Sequence, residues 1–221
     1  CPIPVNRQIL QWDGPLALLA AGVLTGMVWD GEISRIDAGC LLAGILAYLL
    51  LNLRQSSQAR DAGQPAGEDV PKQSAHVLID LAFIAGGLAI LVLGAQLLVD
   101  NSVLLAKQFG VSEAIIGLTI VAAGTSLPEL ATSLVAAIRR EPDIAVGNVI
   151  GSNLFNILGI LGVSGLIAPL RPAGMVSLDY LCMSGLSVLV LVLAARRSQL
   201  SRRDGLLLLA CYAAYLYLRW P

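Results

Sequence analysis

A polytopic, all-α bundle of membrane-spanning helices is the architecture expected of this 221-residue chain. Three observations carry the expectation. The composition is 57% hydrophobic and 13% charged, with a mean hydropathy of +0.78, where a soluble domain carries about a quarter charged residues. Its apolar residues fall in long continuous runs, most of them near the ~20 residues that cross a hydrocarbon core as a helix. Those runs also lack the alternation, in segments of about ten residues, that marks a membrane β-barrel.

Seven spans follow from hydropathy. They are Pro15–Trp29, Ile36–Leu53, Val77–Val99, Glu113–Ile138, Ile144–Ala168, Leu178–Ala195 and Leu206–Leu218. The first is short for a membrane span. Between the second and third, Arg54 to Ala75 is rich in Gln, Ser, Gly, Asp and Pro and reads as a flexible loop. Ser112 with Glu113 supplies an N-cap and an acidic first turn for the fourth span. Residues 1–54 thus hold two helices, 55–75 the loop, and 76–221 five more helices.

Lys and Arg favour the cytoplasmic side. Taken at alternate connections, one set holds Arg7, Arg54, Arg60, Lys72, Arg139, Arg140, Arg196, Arg197, Arg202 and Arg203, and the other only Arg35, Lys107, Arg171 and Arg219. The ten-against-four split puts the start and the long loop in the cytoplasm and the end outside. The chain opens Cys-Pro-Ile-Pro, without Met or a signal peptide, which reads as a piece of a longer or processed protein.

The net charge of −1 gives no electrostatic footing for nucleic acid. No GxxxxGK[ST] loop is present to cradle a nucleotide, which disfavours ATP-driven pumping. Cys1, Cys40, Cys182 and Cys211 are scattered without a CxxC and read as small apolar fillers. Trp12, Trp29, Trp220, Tyr215 and Tyr217 lie near span ends, as an interfacial belt would. Asp100 and Asn101 read as the interfacial end of the third span, Asp80 as its interfacial start, and His76 as a solvated loop residue.

The chemistry concentrates in GTSLPELATS, Gly124 to Ser133. A carboxylate at membrane depth costs roughly 2.5–3.5 kcal/mol on insertion scales and persists where it faces a partner, a cavity or an ion. Thr125, Glu129 and Ser133 are four apart and share a helix face, and Ser126 lies one turn from Glu129. Pro128 has no N–H, so the carbonyl of Gly124 loses its helical partner and the helix bends or breaks. Broken helices at mid-membrane are where secondary transporters expose carbonyls to a coupling ion. Together these are hard oxygen atoms with one negative charge, which suit a hard cation. A proline kink decorated by residues that merely bond to neighbouring helices is the plainer reading of Pro128 and the hydroxyls; Glu129 favours the ion site.

A second polar face follows in GNVIGSNLFNILGILG, Gly147 to Gly162. Asn148, Ser152 and Asn156 recur every fourth residue, with Asn153 one turn from Asn156, and offer neutral oxygens of the kind Na⁺ or Ca²⁺ accepts. For Ser152 and Asn156, interhelical bonding and ligation both remain open. Gly147, Gly151, Gly159 and Gly162 suit close helix approach. The turn Arg139 to Asp143 is so short that the two spans form an antiparallel hairpin, which sets both polar faces toward one cavity.

These two motifs, in this order and spacing, resemble the α-repeat of the cation/Ca²⁺ antiporter superfamily, the Na⁺/Ca²⁺ exchangers, and in particular its bacterial members. The likeness is strongest over 110–165. The resemblance implies ten helices in two inverted halves, each with one repeat, the two repeats meeting at mid-membrane to form the cation sites. Nothing before Gly110 reads like GTSxPE, so the chain would correspond to helices four to ten, and its partner would be a first repeat of the same protein lying outside it. By the same resemblance Glu129 is the acidic ion ligand, with Thr125, Ser126 and the Ala122 carbonyl as Na⁺ ligands and Ser152 and Asn156 as ligands from the fifth span. Some exchangers carry Asp where this chain has Asn156, which removes one charge and leaves selectivity open. The expected protein is no enzyme and holds no cofactor; it transports Na⁺ (or H⁺ or K⁺) and Ca²⁺ by alternating access in a bacterial inner membrane, in contact with lipid. A passive cation channel of several copies and a non-transporting scaffold are the competing readings.

Overall fold

The computed structural model describes residues 2–61, 77–172 and 174–219. Residues 62–75 of the expected loop, with Lys72, and also Cys1, His76 and Trp220, lie outside the described residues. Ten α-helices are present among the described residues: α1 Gly14–Met27, α2 Arg35–Asp61, α3 Val77–Gln108, α4 Glu113–Ile116, α5 Ala122–Thr125, α6 Leu127–Arg139, α7 Pro142–Leu154, α8 Leu161–Ile167, α9 Ser177–Arg197 and α10 Arg202–Arg219. Three π-helical turns, Ile9–Asp13, Gly117–Val121 and Phe155–Ile160, join or extend them.

Five helical stretches are long and apolar enough to span a bilayer, and a sixth is made by the bent pair Gly117–Thr125 and Leu127–Arg139. The all-α polytopic architecture is therefore as expected. The short first span gains length from its π-turn, running Ile9–Asp30. The seventh, α10, is an 18-residue helix whose ends carry Arg202, Arg203, Asp204 and Arg219, so only its centre is free of charge.

Several boundaries differ from those read in the sequence. Helix α2 continues to Asp61, so residues 54–61 are helical rather than loop: Gln, Ser and Ala sustain a helix once an apolar stretch has nucleated it. Helix α3 runs to Gln108, which places Asp100 and Asn101 inside it and not at its end. Asn101 meets its own helix instead, its Nδ2 donating to the Leu97 carbonyl at 2.6 Å.

Local chemistry explains the helix starts. Ser34 and Asp37 exchange bonds between side chain and backbone (3.0 and 3.2 Å) at the head of α2. Ser201 and Asp204 do the same for α10 (2.7 and 3.3 Å). The hydroxyl of Ser112 accepts from the Ile115 N–H at 3.4 Å, the expected cap of the fourth span.

The core lies where α1, α2 and α7 meet, around Leu24, Leu41, Ile45, Leu154 and Leu158, with Leu41 and Leu154 fully buried. In lipid, helices gain little from hydrophobic exclusion, and close packing through small residues does most of the work. Gly162 and Gly165 show this: a Cβ on Gly162 would sit 3.0 Å from the Leu42 backbone nitrogen, and one on Gly165 would sit 2.7 Å from the Ala38 Cβ. Gly147 and Gly151, expected to serve the same purpose, have nothing within reach of a Cβ, and Gly159 meets only its own Phe155 ring. Periodicity finds candidate small-residue contacts; which face meets a neighbour is set by the packing.

Two short pairings tie the ends of the bundle. Ile3–Pro4 pairs antiparallel with Gln199–Leu200, and Ile33 with Leu170. The first gathers the start of the chain and the α9–α10 turn at one end. The second, with the Arg171–Glu32 ion pair at 2.9 Å, gathers two other turns. Each joins turns that the charge count places on the same side.

Helix α10 is held by buried polar groups. Asp179 is 5% exposed and accepts from the Tyr215 hydroxyl at 2.8 Å and the Val176 N–H at 2.8 Å. The Arg219 Nε stands 2.9 Å from its Oδ1, while Arg219 Nη2 donates to the Gly174 carbonyl at 2.8 Å. Tyr215 is thus a core partner and not a belt residue, whereas Trp12, Trp29 and Tyr217 are exposed. Cys40, Cys182 and Cys211 are free, and Cys40 is exposed, so it is no buried filler.

The α6–α7 hairpin forms as the short turn requires. Arg140 adopts a left-handed conformation (φ 62°) and the Glu141 N–H closes on the Ala136 carbonyl at 2.8 Å, after which Pro142 opens α7. Asn148 clamps the two helices: its Nδ2 donates to the Glu129 carbonyl and to Ser133 Oγ, each at 3.0 Å, and Ser133 Oγ donates to the Ala145 carbonyl at 3.2 Å.

Replacing Gly162 with Leu drives a side chain into the α2 backbone; overpacking of about 2 kcal/mol should lower the Tm of detergent-purified protein by roughly 4–8 °C. Asn148→Ala removes both bonds of the clamp, each worth about 0.6 kcal/mol in membrane proteins. Thermal denaturation should show a smaller loss for it than for Gly162→Leu, and Asn148→Asp, which cannot donate, should not recover that loss.

Candidate functional site

The fourth span breaks where Pro128 predicts. Helix α5 ends at Thr125, Ser126 takes a non-helical conformation (φ −94°, ψ 4°), and α6 leaves at 54° to the preceding segment. Ser126 bridges the break through its backbone, its N–H donating to the Ala122 carbonyl at 3.2 Å and its own carbonyl accepting from the Leu130 N–H at 2.9 Å. Because helix geometry is interrupted there, Thr125 and Glu129 sit on two helix pieces, not one turn apart on the continuous face that their spacing suggests.

The sequence did not foretell the π-turns beside the break. Gly117–Val121 leads into α5, and Phe155–Ile160 follows α7 and contains Asn156. Such turns loosen backbone hydrogen bonding and recur at functional sites. The Leu118 carbonyl, within the first of them, accepts from the Tyr212 hydroxyl of α10 at 2.8 Å.

Glu129 lies in the first turn of α6, where the helix dipole favours negative charge. Its side chain is half-buried, and its Oε2 is buried without a hydrogen-bond partner among the described residues. Several other carboxylates of the bundle have partners. Asp179 holds Tyr215 and Arg219, Asp13 accepts from the Tyr48 hydroxyl at 3.1 Å, and Asp37 and Asp204 cap helices. Buried polar atoms are nearly always paired, so an orphaned carboxylate oxygen calls for a ligand.

The remaining candidates divide. Thr125 turns its hydroxyl back to the Val121 and Ala122 carbonyls at 2.9 and 3.2 Å, and Ser152 donates to the Val149 carbonyl at 3.0 Å. In both, the oxygen lone pairs stay open to a cation while the proton is engaged within the helix. Ala122, Thr125, Ser126 and Asn156 are exposed in this chain, and Ser152 half-buried. The hairpin therefore brings α6 and α7 together through Asn148 and Ser133, and leaves the oxygen atoms of the site on an open face. Among the described residues no three His, Cys, Asp or Glu side chains converge on a point.

Known proteins resemble this chain in sequence and fold. The family model for "Sodium/calcium exchanger protein" matches residues 79–220. The inner membrane protein YrbG of Escherichia coli is 36% identical over 222 residues, covering 97% of this chain and 68% of that protein. The sodium/calcium exchanger MaX1 of Methanosarcina acetivorans is 42% identical over 130 residues, covering 58% of this chain and 37% of that protein. A structure of the sodium-calcium exchanger NCX_Mj, soaked with Na⁺ and Sr²⁺, superposes with a TM-score of 0.75 at 30% identity over 98% of this chain and 68% of that one. With a family match across most of its helices and a shared fold around the broken span, the chain belongs to the sodium/calcium exchanger family.

Proposed function

We propose that this chain is the part of a secondary active antiporter, seated in a bacterial inner membrane, that supplies the cation site on its α5–α7 hairpin and exchanges Na⁺ for Ca²⁺. The orphaned, buried Oε2 of Glu129 at the helix break carries the reading. In a scaffold, the hydrogen-bonding partners that satisfy Asp13 and Asp179 would be expected for Glu129 as well. Kinship with YrbG and MaX1 supports the inner membrane and the ion pair respectively.

In this reading Glu129 supplies the charge. The hydroxyls of Thr125 and Ser126, the Ala122 carbonyl, Ser152 and Asn156 replace water around the ion. The open face they occupy meets a second repeat of the same protein, which completes the ligand set, and lipid covers the outer helices. Exchange follows from electrostatics: a site holding an uncompensated carboxylate is costly to move past a low-dielectric barrier, so only the occupied site reorients. Asn156, neutral where some exchangers have a carboxylate, lowers the charge available to a divalent ion.

Glu129→Gln keeps the shape and removes the charge. A hydrogen bond or contact to a charged group is worth about 1.5–3 kcal/mol, so Na⁺-driven Ca²⁺ uptake into reconstituted vesicles should fall at least about tenfold. Uptake retained by a well-expressed variant would rule out the role. Asn156→Asp adds a second carboxylate, and the half-saturating Ca²⁺ concentration should fall several-fold while Na⁺ competes less well.

A further inference from the structure

Helix α3 carries a carboxylate that the site described above does not use. Val99 packs against Gly124 so closely that a Cβ on that glycine would collide with the valine side chain, and the Ala95 carbonyl lies 4.0 Å from the same point. The later part of α3 is therefore level with the broken helix. Asp100 is one residue beyond Val99, a rise of about 1.5 Å along the axis, and so stands level with the kink, its side chain exposed. Its place is beside the broken span and not at the end of α3.

Asp100 also lines a cleft of about 280 Å³ between α3 and the break, with Gln96 one turn earlier on its own helix and Gly124, Thr125 and Pro128 across from it. The cleft joins the α3 surface to the turn that precedes Glu129, and its polar lining is one carboxylate, one amide and one hydroxyl.

We propose that Asp100 is a cation-recruiting residue: its carboxylate, with Gln96, holds the transported cation in the cleft beside Thr125 before it passes to Glu129. The inference rests on the cation-antiport reading above. Long-range attraction into a low-dielectric cleft raises the local cation concentration and the rate of capture, and it weakens with added salt. Asp100 acts on loading and not on the bound ion, so its charge governs apparent affinity more than turnover.

The test is Na⁺-driven Ca²⁺ uptake by the transporter expressed from its own gene and reconstituted in vesicles, compared among wild type, Asp100→Asn, Asp100→Glu and Glu129→Gln. Asp100→Asn should raise the half-saturating Ca²⁺ concentration about fivefold at low ionic strength, with the difference shrinking in high salt and the maximal rate within about twofold. Asp100→Glu should stay near wild type, which a merely structural role for the shorter side chain does not predict. If Asp100→Asn fails to fold, Gln96→Glu in the wild-type background should lower the half-saturating concentration; an unchanged or raised value overturns the proposal. An Asp100→Asn profile matching wild type at every salt, with Glu129→Gln inactive, overturns this inference alone. Wild-type vesicles without Na⁺-driven uptake overturn the transport reading and this one together.

Discussion

Lipid offers no hydrogen bonds, so a helix broken at membrane depth survives only if the protein satisfies the backbone groups it frees. That constraint governs the part of this structure that matters. Pro128 and the bridge conformation of Ser126 open the fourth span, and a π-turn loosens the segment before it. Three neighbouring helices close around the broken segment. Asn148 of α7 reaches the Glu129 carbonyl, Tyr212 of α10 reaches the Leu118 carbonyl, and Val99 of α3 closes over Gly124. The helices packed around the break are thus its hydrogen-bonding and steric support, and each arrives from a different span.

Within that support one group stays unmatched. Asp13 has a tyrosine, Asp179 has a tyrosine and an arginine, and the capping aspartates have backbone N–H groups. Glu129 Oε2 has no such partner among the described residues, although α6 and α7 are locked together around its own carbonyl. The amide of Asn148 and the hydroxyl of Ser133 are engaged across the hairpin. A rigid hairpin that carries one exposed ligand face suits a mechanism in which a large body moves against another around a site of constant shape.

Much of this was legible in the linear chain because the bilayer imposes coarse rules. Length and continuity of apolar runs locate spans; Pro128 locates the break; the five residues from Arg139 to Asp143 leave room only for a hairpin. Glu129 stood out because a lone charge among apolar residues persists only where something compensates it. Where the reading slipped, the cause was local. Asp100 looked like a helix end because charge ordinarily marks the interface, and Tyr215 looked like a belt residue because it lies near the chain's last span boundary. Helical spacing placed Thr125 and Glu129 on one face, which holds only for an unbroken helix.

By itself, then, the sequence determined the membrane-spanning class, the break and the acidic residue beside it, since hydrophobic length, the missing proline N–H and the cost of charge in hydrocarbon are properties of the residues alone. Only the tertiary structure decided which carbonyls Asn148 and Tyr212 satisfy, which glycines meet a neighbour, that Asp179 and not Glu129 takes Arg219, and that Asp100 lies beside Thr125. Those outcomes depend on crossing angles and rotations among helices distant in sequence, and periodicity along one helix carries no information about the face its neighbour presents.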